Sequence, residues 1–308
     1  MKTKAYIIAA VTGVMFSGML SAQEWKNGFS FAGVSHDPVS AGLGFAGAAS
    51  VNTPAWSAFT SPAAMSLSDK KLDVAASFQN WAPDGVKNTN IAAGASFKIA
   101  KFGIAAGFAR NGGEKYDIVS GTGDIAGTFT PSDLQAGAAL SYAITDWLSA
   151  GVNAKFFSSE LSVDDKFTGF GADVQAQAVF GDFRAALGVA NVGSSMKSAS
   201  GEKFSVPSSI LAAGDWRGEF GKNGIEAMVD LNYYFSGSFT AAAGVQYDFR
   251  DMVFVRAGYH YGAKDAFLPS FATVGAGVKF FGVSVNAAYL LGNDVLKNTL
   301  TVGLGYSF

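Results

Sequence analysis

Hydrophobic and polar residues alternate along most of this chain with a period of two. In the stretch 299–308, Leu300, Val302, Leu304, Tyr306 and Phe308 alternate with Thr299, Thr301, Gly303, Gly305 and Ser307. Successive side chains of a β-strand point to opposite faces, so one face here is greasy and the other small or hydroxylated. The pattern recurs upstream. Leu148, Ala150, Val152, Ala154 and Phe156 oppose Ser149, Gly151, Asn153 and Lys155. Ile225, Ala227, Val229, Leu231 and Tyr233 oppose Glu226, Met228, Asp230 and Asn232. Val274, Ala276, Val278 and Phe280 oppose Thr273, Gly275, Gly277 and Lys279.

From residue 72 onward this periodicity predicts fourteen strands, near 72–81, 90–99, 102–110, 134–143, 147–156, 171–180, 182–190, 209–216, 224–234, 239–248, 253–261, 271–279, 282–290 and 299–308. Most have the nine to eleven residues that a tilted membrane strand needs. Long and tight connections alternate, with 217–223 longer and 235–238 shorter than the pattern asks. Short inner turns, longer outer loops and an even strand number describe a bacterial transmembrane barrel. The expected fold is therefore all-β: a fourteen-stranded antiparallel barrel over 71–308, with both ends on the periplasmic side. Aromatic Tyr306 and Phe308, at the end of the last strand, are expected to act as a C-terminal insertion signal.

Residues 23–70 do not alternate. Ser40-Ala-Gly-Leu-Gly-Phe-Ala-Gly-Ala-Ala-Ser50 is a run of small residues, followed by Trp56 and by Pro54 and Pro62, which break it into short pieces. Small side chains allow close packing, so this segment is expected to plug the lumen, with Gly42, Gly44, Gly47, Trp56 and Pro62 as its marks. Gly42-x-Gly44-x-x-Gly47 matches a dinucleotide fingerprint. No strand precedes it, so no cofactor is expected.

Composition agrees with a barrel in lipid. The chain is 49% hydrophobic and 15% charged, with 38 glycines and 27 phenylalanines. Beyond the first twenty residues no apolar run is long enough for a membrane helix. Lys2 and Lys4, an apolar run to Leu20 and Ser21-Ala22 read as a secretory signal peptide over 1–22. A net charge of −2 gives no reason to expect nucleic acid, and the absence of cysteine excludes a thiolate metal site.

Charges inside a membrane strand must face the lumen, because on the lipid face a Lys or Arg costs about 2–4 kcal/mol at the midplane. Parity points inward for Lys155, Asp173, Gln175, Gln177, Arg184, Glu226, Asp230, Arg256, His260 and Lys279. Paired ladders that hold the plug explain such a set, and a substrate path is the functional alternative. His36, ahead of the plug, and His260 are the only histidines. Neither sits in triad or metal-ligand spacing, so neither enzyme chemistry nor a metal is expected. Phe29, Phe31, Phe45, Trp56 and Phe59 form either the core of the plug or a greasy passage beside it.

Three ordered motifs resemble the PorV/PorQ group within the FadL-type barrels. The first is the small-residue run at 40–50 with Ser61-Pro-Ala-Ala-Met65. The second is Ser141-Tyr-Ala-Ile-Thr-Asp-Trp-Leu-Ser-Ala-Gly-Val-Asn-Ala-Lys-Phe-Phe157. The third is Gly188-Val-Ala-Asn-Val-Gly193 with Val206-Pro207 after it. The chain lacks the group's basic residue before Ala41 and has Ser61 where Asn is common. The resemblance implies a non-enzymatic outer-membrane protein that acts through secretion-system proteins in type IX-like secretion or surface display. The alternative is a FadL-like channel for small hydrophobic molecules. Its other expected partners are outer-membrane lipid and the outer-membrane insertion machinery.

Overall fold

Every strand that spans the bilayer must pair its backbone with a neighbour, and only closure of the sheet removes the last two edges. The computed structural model describes residues 29–81, 87–163, 165–197, 203–266, 268–292 and 299–308. The signal segment expected at 1–22 lies outside them. In chain order the strands are β1 (Leu72–Trp81), β2 (Asn88–Ile99), β3 (Phe102–Gly112), β4 (Tyr116–Val119), β5 (Ile125–Phe129) and β6 (Ser132–Thr145). There follow β7 (Leu148–Glu160), β8 (Lys166–Phe180), β9 (Phe183–Gly193), β10 (Ser195–Lys197), β11 (Lys203–Ser205) and β12 (Ser209–Phe220). The last are β13 (Asn223–Tyr234), β14 (Phe239–Phe249), β15 (Val253–Gly262), β16 (Phe271–Phe280), β17 (Val283–Leu291) and β18 (Thr299–Ser307).

Fourteen of these close one antiparallel barrel, in which β18 pairs with β1. The pairs β4–β5 and β10–β11 are separate hairpins on the long outer connections. Each predicted strand is present. The link read at 217–223 as longer than the pattern asks is in fact tight, as the alternation of connections requires: β12 continues to Phe220 and turns in two residues. Arg217 and Glu219 share the inward parity of Asp215, and Arg217 reaches Asp248 at 3.0 Å, so the alternation continues to Phe220 with only Gly218 outward to weaken it. Left-handed backbone closes the inner turns, as at Phe281 (φ 48°) and Gly282 (φ 80°), the pair of positive angles that matches strand twist in a two-residue hairpin.

The outer surface is apolar, with Ile91, Ile104, Val152, Val229, Val255 and Leu304 exposed. Phe102, Phe183, Phe220, Phe280 and Tyr306 ring the inner edge, and Phe170, Tyr233, Tyr259 and Tyr261 stand toward the outer one. Such a surface is stable only in lipid. No described helix is long and apolar enough to cross a membrane.

Candidate functional site: the plugged lumen

Residues from Phe29 to Lys70 lie inside the barrel and bring little regular structure. Asp37 caps a single helical turn, α1 (Pro38–Ala41), by accepting from the Val39 N–H at 2.8 Å, and Pro38 supplies the fixed φ at its start. The rest of the plug is irregular, so its backbone polar groups need partners elsewhere. The wall supplies them. Thr273 Oγ1 accepts from Gly44 N at 2.9 Å, and Asp230 Oδ2 accepts from Gly47 N at 3.0 Å and Ala48 N at 2.9 Å. Gln175 accepts from Ala63 N at 3.1 Å and donates to Ala48 O at 2.9 Å. Gln177, Ser149 and Asn153 donate to the carbonyls of Ala49, Ala63 and Ala58.

Glycines set how closely plug and wall approach. A methyl added at inward Gly258 or Gly244 would run into Leu43, at Gly137 into the Ala58 carbonyl, and at Gly151 into Pro62. From the other side, a methyl on Gly44 would lie 2.6 Å from the Tyr259 backbone, and Gly44 also holds a φ of +70° that disfavours any side chain. Gly42 faces Gly275, with 3.1 Å left for a methyl. Gly42 and Gly44 are thus contact points between two backbones, whereas Gly47 has room for a methyl and is set by its φ of +139°. Trp56 packs with Phe59 against Ala92 and Ala109 of the wall.

The predicted lumen charges all point inward, and most are paired. Lys155 Nζ lies 2.7 Å from Asp173 and 2.9 Å from the Asn191 side-chain oxygen. Arg184 sits between Asp215 at 2.5 Å and Glu226 at 2.8 Å. Arg256 is held by amide oxygens of Gln246 (2.6 Å) and Asn286 (2.9 Å). Lys279 reaches Asp251 at the inner rim, 2.8 Å away. Replacing Arg184 with Met would leave Asp215 buried without its cation and Glu226 with only Arg217, 4.0 Å away. Unfolding of the R184M barrel in guanidinium should show a loss of about 3–5 kcal/mol, and a loss below about 1 kcal/mol would mean that the pair is solvated.

Two features escaped the sequence reading. Asn191 is a left-handed bulge (φ 55°) in β9, where the register against β8 slips. Its N–H donates to Asp173 at 2.7 Å and its side chain to the Pro207 carbonyl at 3.3 Å, so the Asn-x-Gly motif and the later proline form one corner. The second is His36. Expected ahead of the plug, it lies within it, bonded to Asn90 (3.2 Å) and Gln135 (3.4 Å). Burial holds its pKa down to about 4, which keeps the imidazole neutral.

The plug aromatics do not line one passage. Phe29 and Phe31 pack on Phe157 and Val206, Trp56 and Phe59 on the β2–β3 wall, and Phe45 on Phe271 and His260. Between the plug and the outer rim they leave a cavity of about 150 Å³, bordered by Phe45, Phe59, Tyr234, Leu268, Asp230 and His260. A second space, of about 80 Å³, lies within the plug beside His36, Asp37 and Gln135. Among the described residues no cluster of acids and histidines could hold a metal.

The architecture is that of the FadL-type barrels. The chain is similar to the toluene transporter TbuX of Ralstonia pickettii, with a TM-score of 0.62 and 12% identity over 93% of this chain and 99% of that one. It is similar to the monoaromatic hydrocarbon channel CymD, with a TM-score of 0.64 and 14% identity over 89% and 98%. A FadL homologue from Pseudomonas aeruginosa gives 0.54 and 14% over 89% and 96%. No protein-family profile matches the chain, and no curated protein matches its sequence. At such identities the likeness shows the fold and speaks for no narrower group.

Proposed function

We propose that this chain is an outer-membrane channel for small, largely apolar molecules, exported by the signal segment read at 1–22. The observation that carries the reading is the outer cavity. About 150 Å³ is the size of an engineered cavity that accepts benzene, and this one lies above a plug rather than in an open pore. Its walls combine apolar Phe45, Phe59, Tyr234 and Leu268 with polar groups that include Lys155, Asp173, Gln175 and Asp230. Proteins of the same fold that are described as toluene transporters or monoaromatic channels support it. The test is uptake of radiolabelled toluene by cells that carry or lack the gene. Uptake should fall roughly tenfold on deletion and return with the intact gene, and equal uptake would end the reading.

The secretion reading keeps one observation in its favour. The β4–β5 hairpin exposes Tyr116, Val119 and Ile125 outside the bilayer, next to exposed Leu161 and Val163. A two-stranded hairpin is marginal alone and gains from a protein partner. Gentle purification from native membranes decides: a stoichiometric protein partner, with loss of a surface protein on deletion, favours secretion over the channel.

A further inference from the structure

We propose that molecules cross this barrel through the interior of the plug, where Val39 and Thr53 form the narrowest point and set the size of what passes. This rests on the channel reading and names the passage that serves the outer cavity. Spaces follow one another from the outer side to the inner one. The outer cavity of about 150 Å³ and the plug space of about 80 Å³ share Phe45, Phe59, Thr60 and Ser61. Although the five plug aromatics pack on separate walls, these two border both spaces. The plug space shares Asp37, Val39, Thr53 and Trp56 with a gap of about 40 Å³. That gap shares Val39, Thr53, Lys70 and Asn286 with a vestibule of about 480 Å³. The vestibule ends among Asp251, Lys279 and Ser307 at the inner rim. Val39 and Thr53 are the residues common to the plug space, the gap and the vestibule.

The other routes are shut. Around the plug the two surfaces touch: a methyl at Gly137, Gly151, Gly244 or Gly258 of the wall would collide with plug atoms. Ser149, Asn153, Gln175 and Gln177 also tie plug carbonyls to the wall. Sideways, every strand of the closed barrel is bonded to both neighbours, so the wall offers no unpaired edge.

Val39 and Thr53 are half-buried, whereas their neighbours Pro38, Pro54 and Ala55 are buried. Each therefore keeps surface toward the passage. The segments that carry them are anchored. Pro38 lies against Gly303 and Gly42 against Gly275, which fixes α1 to the wall. The Asp37 carboxylate that caps α1 also sits beside Thr53. Just after Thr53, Ala55 N donates to Asp73 at 3.0 Å and Trp56 packs on the β2–β3 wall. With both backbones held, the two side chains set the opening, and valine is stiff about χ1. A gap of about 40 Å³ is far below the ~150 Å³ that accepts benzene, so it is the gauge of the whole path.

The chain has no cysteine, so Thr53→Cys supplies a single handle that is modified only after the barrel has folded. Cells that express it, once treated with benzyl methanethiosulfonate, should take up radiolabelled toluene at least about tenfold more slowly. Treated cells that carry the cysteine-free parent should keep their rate. Neither residue borders the outer cavity, so the labelled, purified barrel should bind toluene within about twofold of the parent in titration calorimetry. Val39→Ala widens the gap and should speed uptake of two-ring naphthalene at least about threefold. Unchanged toluene uptake by Thr53→Cys whose labelling is verified by mass would overturn the proposal and leave the channel reading standing. So would a cysteine that the reagent cannot reach. Equal toluene uptake by cells that carry and cells that lack the parent gene would end the channel reading, and this proposal with it.

Discussion

Deleting residues 40–66 turns a closed barrel into a conducting one. The intact protein should show no steady current in planar bilayers, and the shortened one long-lived openings with at least about tenfold more current. Strand pairing in the wall does not depend on the plug, because each strand of the barrel bonds its two neighbours along the sheet. What deletion frees is a row of inward polar side chains, Ser149, Asn153, Gln175, Gln177 and Asp230, which now bond plug backbone and would bond water instead. Gly44→Val probes the same seat with the chain complete. The added side chain meets the Tyr259 backbone and sits at a φ it disfavours, so the plug should lift locally and the current flicker. A steady porin-like current from the intact protein would refute the seating described here, as would silence from the deleted form.

The strands were legible because lipid imposes one rule on every outward side chain. Where lipid ends, so does the rule. β8 begins at Lys166 rather than near 171, because at the rim neither face need be apolar, and β12 runs past Trp216, where outward Gly218 carries no apolar signal. The β4–β5 hairpin carries no alternation for the same reason: it is wet on both faces. Parity alone turned Lys155, Arg184, Glu226, Asp230 and Arg256 inward, and the structure agrees. Their partners were not legible. Arg184 meets Asp215 across the β9–β12 seam, which joins strands separated by a hairpin, and Glu226 from one strand further on. His36 had no local signal at all, since its partners lie 54 and 99 residues away. The glycine run announced close packing, but only the facing Gly244, Gly258 and Gly275 show against what.

Removing residues 299–308 should abolish the folded barrel altogether. β18 pairs on both sides, Val302 with Phe78 and Leu304 with Val285, and the Phe308 carbonyl accepts from Lys71 N (2.7 Å) and Leu72 N (3.0 Å). Without it β1 and β17 present two open edges to hydrocarbon, where each unsatisfied backbone group costs several kcal/mol. The compact, heat-modifiable band on gels should vanish. Phe308→Asp separates that closure from recognition. The backbone ladder survives the change, and a charge near the interface costs only about 0–1 kcal/mol, so molecules that do insert should unfold at the same urea concentration as the parent. The exposed ring beside Tyr306, expected from the sequence to act in insertion, is what the substitution removes. Membrane levels of F308D should therefore fall about threefold or more, with the balance aggregated in the periplasm. Unchanged levels with an unchanged urea midpoint would mean that the last strand matters through its hydrogen bonds alone.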